Sequence, residues 1–280
     1  MPASESLTFG PASREWQYSR NDDNAGSKGG TFNLASKSAE KHFKFKTGVP
    51  DDVPAPKTLG LGDVDLVVDP AATALVIVDM QNFFLDARCR AHPKGLDAVG
   101  PTIEVIKKCR EVGVQVIWLN WGLTDTDLET MPAGVQRSSM PHTNPRCGLG
   151  VELGDGQGRT LCAGAWNADI YSELKGHVDG ARDAQCAKNR MSGLWDPAQP
   201  LFTTLVQRGV TTLLFAGVNT DQCVLGTLVD AHNRGWDCVV VEDACATTTP
   251  GGREVTFLNA AAYYGFVTDS KQFCAGTMGA

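Results

Sequence analysis

No stretch of this sequence stays apolar long enough to cross a bilayer. The runs at 71–78 and 213–218 fall well short of the roughly 20 residues that a spanning helix needs. The first ten residues lack the charged start and apolar stretch of a secretory leader. No two cysteines have the C-x-x-C spacing, and the nine present are unevenly placed and odd in number. In a chain this long, that argues against a disulfide framework and for a reducing compartment, with the cytoplasm as the expected address. There is no basic excess: 25 Lys and Arg face 32 Asp and Glu, a formal charge of −7, so neither nucleic acid nor anionic membrane is an expected partner. The one short basic patch, Lys41, His42, Lys44 and Lys46, reads as a solvated arm.

What is present changes character along the chain. Residues 1–70 are rich in Ser, Asn, Asp, Gly and Lys, with little apolar periodicity. Within them, 15–20 (E-W-Q-Y-S-R) and 31–34 could pair as a hairpin across the polar stretch 21–30, and 50–56 reads as an extended linker. This part is expected to be an arm lying on the main domain or on a neighbouring subunit, because it has too little apolar content to fold alone.

From residue 71 the pattern becomes regular. Apolar strands are expected at 74–79, 114–120, 212–216, 237–241 and 266–268, with a short candidate at 184–187. Between them lie helical patterns at 102–112, 200–208, 222–234 and 252–264, punctuated by Pro200, Gly113, Gly209 and Gly235. Strands alternating with helices predict an α/β fold, a three-layer Rossmann-like sandwich around a parallel sheet of about six strands over 71–280. Such sheets carry their sites beyond the carboxyl ends of the strands. No G-x-G-x-x-G follows the first strand, which speaks against dinucleotide binding. The long Gly-, Pro-, Thr- and Asp-rich stretch 123–164 follows a strand end and reads either as a substrate lid or as a disordered loop.

Three polar residues fall where that layout expects a site. Asp79 ends the first strand, Lys188 follows the short candidate strand, and Cys223 sits in the first turn of the helix after 212–216. Singly each has an ordinary reading: a turn-forming Asp, a solvated Lys, a small core Cys. Together they form a chemical set. A helix N-terminus and a nearby ammonium favour a thiolate, and a carboxylate can accept the thiol proton and later hand it to a leaving amine. Backbone N–H groups at the same helix start can hold an oxyanion.

The segments Ile77-Val78-Asp79-Met80-Gln81-Asn82, Lys188-Asn189-Arg190-Met191-Ser192-Gly193-Leu194 and Gly217-Val218-Asn219-Thr220-Asp221-Gln222-Cys223 resemble, in this order, the three signatures of the isochorismatase-like cysteine hydrolases. The resemblance spans roughly 71–273. It implies that Cys223 is the nucleophile, Asp79 the proton shuttle and Lys188 the cation holding both. It also implies a cis peptide between Val218 and Asn219, and the backbone N–H groups of Asn219 and Cys223 as oxyanion donors. Gly164-Ala165-Trp166, Ser172-Glu173-Leu174 and Val241-Glu242-Asp243-Ala244 are most similar to the ureidoacrylate and N-carbamoylsarcosine amidohydrolase branch. The ureidoacrylate amidohydrolases have Asn-Gly-Trp where this chain has Asn120-Trp121-Gly122, and Tyr at the place of Met191. The expected substrate contacts are Asn120 and Trp166, with Phe84, Trp121 and Met191 as apolar walls.

The Asp-x-His metal motif of nicotinamidases is missing, and His42, His92, His142, His177 and His232 show no ligand spacing, so neither metal nor cofactor is expected. Isochorismatases proper, which cleave an ether, lack the cysteine. The reading that follows is a cysteine amidohydrolase acting on a small amide, ureide or carbamoyl compound through a thioester, in a dimer or tetramer as the family commonly forms. An ether-cleaving or biosynthetic enzyme on the same fold, or a non-catalytic binding module, is the alternative.

Overall fold

The computed structural model describes residues 6–20, 29–89, 92–138 and 148–279. Parts of two expectations, the hairpin link at 21–28 and the middle of the long stretch at 139–147 with His142, lie outside the described residues.

Two six-stranded sheets organise the chain. The central sheet comprises, in spatial order, β11 (Phe266–Thr268), β10 (Asp237–Ala246), β9 (Thr212–Val218), β6 (Thr73–Val78), β7 (Gln115–Trp121) and β8 (Ala184–Lys188). Every pairing in it is parallel. Strands β6 and β9 are buried along their whole length, as expected for a sheet covered by helices on both faces. Helix Val99–Val112 buries Thr102, Val105, Ile106, Cys109 and Val112, one stripe at helical spacing, and Gly113 ends it at φ +90°.

Chain order reverses between β6 and β9: from β6 the chain builds outward through β7 and β8, then returns to add β9, β10 and β11 on the other side. The crevice beyond such a switch point is where open α/β sheets place their ligands. Gly217 makes the close approach there possible. A Cβ on it would lie 2.0 Å from the Val78 carbonyl oxygen, and its φ is +119°.

Several element ends differ from the sequence expectation. Lys188 is the last residue of β8 rather than beyond it. The helix expected at 222–234 opens as one π-helical turn, Thr220–Val224, before helix Leu225–Asn233. Strand β10 continues to Ala246 past a register shift between Val240 and Cys245.

The second sheet has the order β1 (Ser6–Phe9), β2 (Trp16–Arg20), β3 (Gly30–Asn33), β5 (Val64–Val68), β4 (His42–Thr47) and β12 (Thr277–Gly279). The patch expected to be solvated is one face of β4: H-F-K-F-K-T has period two, so Phe43, Phe45 and Thr47 turn inward while Lys44 and Lys46 face out. Lys44 pairs with Asp65 on β5 at 2.7 Å. The inward rings meet the central domain, with Phe43 and Phe45 each 5.2 Å from Phe273 and Phe32 5.4 Å from Phe266. Polar ties join them: Trp16 Nε1 donates to Asp237 Oδ1 at 2.9 Å, and Thr268 Oγ1 donates to the Lys46 carbonyl at 2.8 Å. One continuous apolar core joins the two sheets. Among the described residues, no helix is long and apolar enough to cross a membrane.

Candidate active site

At the carboxyl ends of β6, β8 and β9 the fold gathers three side chains. Asp79 directly follows β6 with φ +54°, a left-handed conformation that Asp tolerates better than most residues. Its N–H donates to the Leu119 carbonyl at 2.9 Å, tying the turn to β7. Gln81, wholly buried, acts as a clamp: its Nε2 donates to the carbonyls of Trp121 (2.8 Å) and Ala168 (2.6 Å), and its Oε1 accepts from the Trp121 N–H (3.1 Å). Lys188 lies in register with Trp121 on the neighbouring strand, so the two side chains share a face.

Lys188 Nζ is the hub. It sits 3.0 Å from Asp79 Oδ2, donates to Cys223 Sγ at 3.4 Å and to the Arg190 carbonyl at 3.2 Å, and lies 3.9 Å from the centre of the Trp121 ring. Asp79, Lys188 and Cys223 are 0%, 1% and 6% exposed, so these charges interact with little screening by water. Neither Asp79 oxygen receives a hydrogen bond of full geometry, although Cys223 and the Trp121 backbone lie close enough to lower its pKa.

Burial pushes the Asp79 carboxyl above the usual carboxylate range, and the Lys188 charge opposes that rise. The Cys223 thiol is pushed up to about 12, by burial first and then by the Asp79 charge, with Lys188 again opposing. The ammonium at the thiol favours a thiolate, and burial and the Asp79 carboxylate act against it.

The remaining expected residues fall at different places. The Val218–Asn219 peptide is cis, and Asn219 Oδ1 lies 2.7 Å from His92 Nε2. Met191 is 40% exposed and comes near Gly226 at the start of the Cys223 helix. Trp166 stacks under the Arg88 guanidinium at 3.9 Å, and its carbonyl accepts from Asn82 Nδ2 at 2.9 Å. Phe84 is buried edge-on against Phe83 at 5.0 Å. Alternation along β7 turns Asn120 to the opposite face from Trp121. It lines a groove with Trp118, Trp121, Gln185, Ala187 and Lys175, and its Oδ1 is buried with no hydrogen-bond partner among the described residues.

The long stretch after β7 begins with Thr124, whose side chain and that of Asp127 cap each other's backbone at helix Asp125–Thr130. Asn189, next to Lys188, reaches it: Asn189 Nδ2 donates to Asp127 Oδ1 at 2.6 Å. Among the described residues, no group of three or more His, Cys, Asp or Glu side chains is placed to hold a metal ion. Two residues beyond the expected set shape the site. Gln81 lies within a quoted motif, whereas His92 carried no sequence signal beyond the proline after it.

The family model for the isochorismatase domain matches residues 73–272, which leaves β1 to β5 outside the matched span. A ureidoacrylate amidohydrolase RutB from Cronobacter sakazakii is 31% identical over 219 residues, covering 75% of this chain and 90% of that protein. Among solved structures, N-carbamoylsarcosine amidase from Thermoplasma acidophilum is similar at 27% identity with a TM-score of 0.53, over 71% of this chain and 96% of that one. An isochorismatase family protein from Desulfovibrio vulgaris gives 25% identity and a TM-score of 0.57, over 71% and 95%. With its central sheet and all of its candidate site inside the matched span, the chain belongs to the isochorismatase family.

Proposed function

We propose that this chain is a cysteine amidohydrolase that cleaves a C–N bond in a small amide, ureide or carbamoyl compound through a thioester. The observation that carries the reading is the enclosed set of Asp79, Lys188 and Cys223, with Lys188 Nζ 3.0 Å from the carboxylate and 3.4 Å from the sulfur. The relatives named as ureidoacrylate amidohydrolase and N-carbamoylsarcosine amidase support a C–N substrate.

The chemistry follows from the charges. As Sγ of Cys223 bonds to the substrate carbonyl carbon, its proton passes to Asp79, whose burial makes it a stronger base than an exposed carboxylate. The carbonyl oxygen becomes an oxyanion, held by the backbone N–H groups of Asn219 and Cys223. Asp79 then gives the proton to the departing nitrogen as the C–N bond breaks, leaving a thioester on Cys223. Water attacks the thioester, loses a proton to Asp79, and the collapsing intermediate expels the sulfur, which takes that proton back. Lys188 favours the ionised carboxylate in this enclosed site and offsets negative charge at the sulfur.

The test is an ammonia-release screen over ureides, carbamoyl amino acids, nicotinamide and simple amides, with Cys223→Ala as the control. Release by the wild type alone, with an acyl adduct on Cys223 seen by mass spectrometry, is the expected result. Release that survives in Cys223→Ala would overturn the reading.

A further inference from the structure

We infer that His92 is a positioning residue, which turns the Asn219 side-chain amide so that its NH2 is offered to an acyl oxygen of the substrate. The inference rests on the acyl-transfer reading above and adds a specific donor to it.

His92 is 5% exposed and stands immediately before helix Pro93–Asp97. The Gly95 N–H donates to its Nδ1 at 2.8 Å, so Nδ1 carries no hydrogen and the single ring proton is on Nε2. Nε2 lies 2.7 Å from the Asn219 side chain and must donate, so the atom it meets has to be an acceptor, the amide oxygen. An amide's O and N are hard to tell apart by shape, but here the chain of donors fixes them. A flip would set N–H against N–H inside a closed space.

With Oδ1 taken, the Asn219 NH2 must point elsewhere. Among the described residues it has no hydrogen-bond partner, yet Nδ2 is not one of the fully enclosed orphan atoms, so it keeps access to open space. Asn219 also opens the turn that bears the thiol: its carbonyl accepts from the N–H groups of Gln222 (3.0 Å) and Val224 (3.3 Å). A donor with no acceptor, one turn from the nucleophile and with its orientation locked from behind, complements a carbonyl or carboxylate oxygen of the bound substrate. His92 makes no contact with the reacting atoms and acts only through Asn219.

Two substitutions separate this role from simple helix capping. His92→Asn can still accept the Gly95 N–H from the position of Nδ1 but cannot reach Asn219. His92→Gln places an NH2 near the position of Nε2 but gives up the cap. The probe is p-nitrophenyl acetate, whose burst of p-nitrophenolate reports acylation of Cys223 whatever the natural substrate. Methylation of Cys223 by methyl iodide, a reagent without oxygen, reports the bare thiol.

His92→Asn should slow acylation by about tenfold or more with methylation unchanged, and should melt a few degrees lower because the buried Asn219 oxygen loses its donor. His92→Gln should acylate within about threefold of wild type but melt a few degrees lower, roughly the loss of one cap. Wild-type acylation in His92→Asn, an equal fall in methylation, or an equal loss in His92→Gln would each overturn the inference. A wild type that methylates at Cys223 but never acylates would instead overturn the acyl-transfer reading, and this inference with it.

Discussion

Lys188 Nζ stands 3.0 Å from Asp79 Oδ2 with both side chains wholly enclosed, so neither charge can be removed without stranding the other. Breaking a buried pair from one side typically costs about 3–5 kcal/mol, whereas neutralising both partners can be nearly free. Lys188→Met is therefore expected to destabilise the protein by about 3–5 kcal/mol, and adding Asp79→Asn should recover most of that loss. Asn is chosen because it tolerates the left-handed backbone at this position. Urea unfolding of the single and double variants measures both effects, and a double variant less stable than the single one would contradict the pairing.

Cys223→Ser should lower turnover by about 10³-fold or more while leaving the melting temperature near wild type. A hydroxyl is harder to deprotonate than a thiol, and Asp79 remains a modest base even when burial raises its pKa. Because the reaction needs Asp79 ionised, kcat/KM should fall on the acid side at a pH above the ordinary carboxyl value of about 4. A rate profile flat down to pH 4 would remove Asp79 from the proton-carrying role.

Stability should decline in alkali. Burial is the leading cause of a raised pKa at Cys109, Cys186, Cys223, Cys238 and Cys245. Above the unfolded thiol value of about 8.5, the unfolded chain gives up thiol protons that the native state retains. The native state then binds more protons, so the free energy of unfolding falls as pH rises, by about 1.4 kcal/mol per pH unit for each thiol still held neutral. Below that pH these thiols are protonated in both states and add no slope. Urea melts at pH 8, 9 and 10 read the slope directly, and Cys245→Ala should make it shallower.

Deleting residues 1–60 should leave a chain that aggregates or melts far below the full protein. The deletion strips Phe43 and Phe45 from Phe273, and Trp16 and Phe32 from Phe266. It also takes both Arg14 and Trp16 from the buried Asp237 carboxylate. Light scattering during a thermal ramp tests this, and a soluble truncated protein with unchanged melting temperature would make the second sheet dispensable.

The central sheet was legible because its strands are unbroken apolar runs between amphipathic helices, and the positions of Asp79, Lys188 and Cys223 follow from strand ends alone. The burial that pushes the Cys223 thiol pKa up was not legible, since it depends on how completely other chain segments exclude water from it. Nor was the side taken by Asn120: neighbouring residues near a strand end can both be drawn toward a site, and only the register against Ala187 shows which of Asn120 and Trp121 faces the ion pair. The second sheet was hidden for a third reason. Its clearest alternation, F-K-F-K, is brief, and its pairing partners are scattered, one of them the strand Thr277–Gly279 at the far end of the sequence.

That last pairing must wait until residues 277–279 have been made. Thr268 is bonded to Lys46 across 222 positions, and β12 closes the edge of a sheet whose other members are made first. At the usual pace of about 5–20 residues per second, the aromatic face of β2 to β5 would wait roughly 10–45 s for Phe266, Phe273 and β12 to emerge. Throughout that interval the apolar residues of these strands lack their native cover and the edge that β12 closes stays unpaired, the kind of exposure that general chaperones bind and that neighbouring nascent chains can pair with.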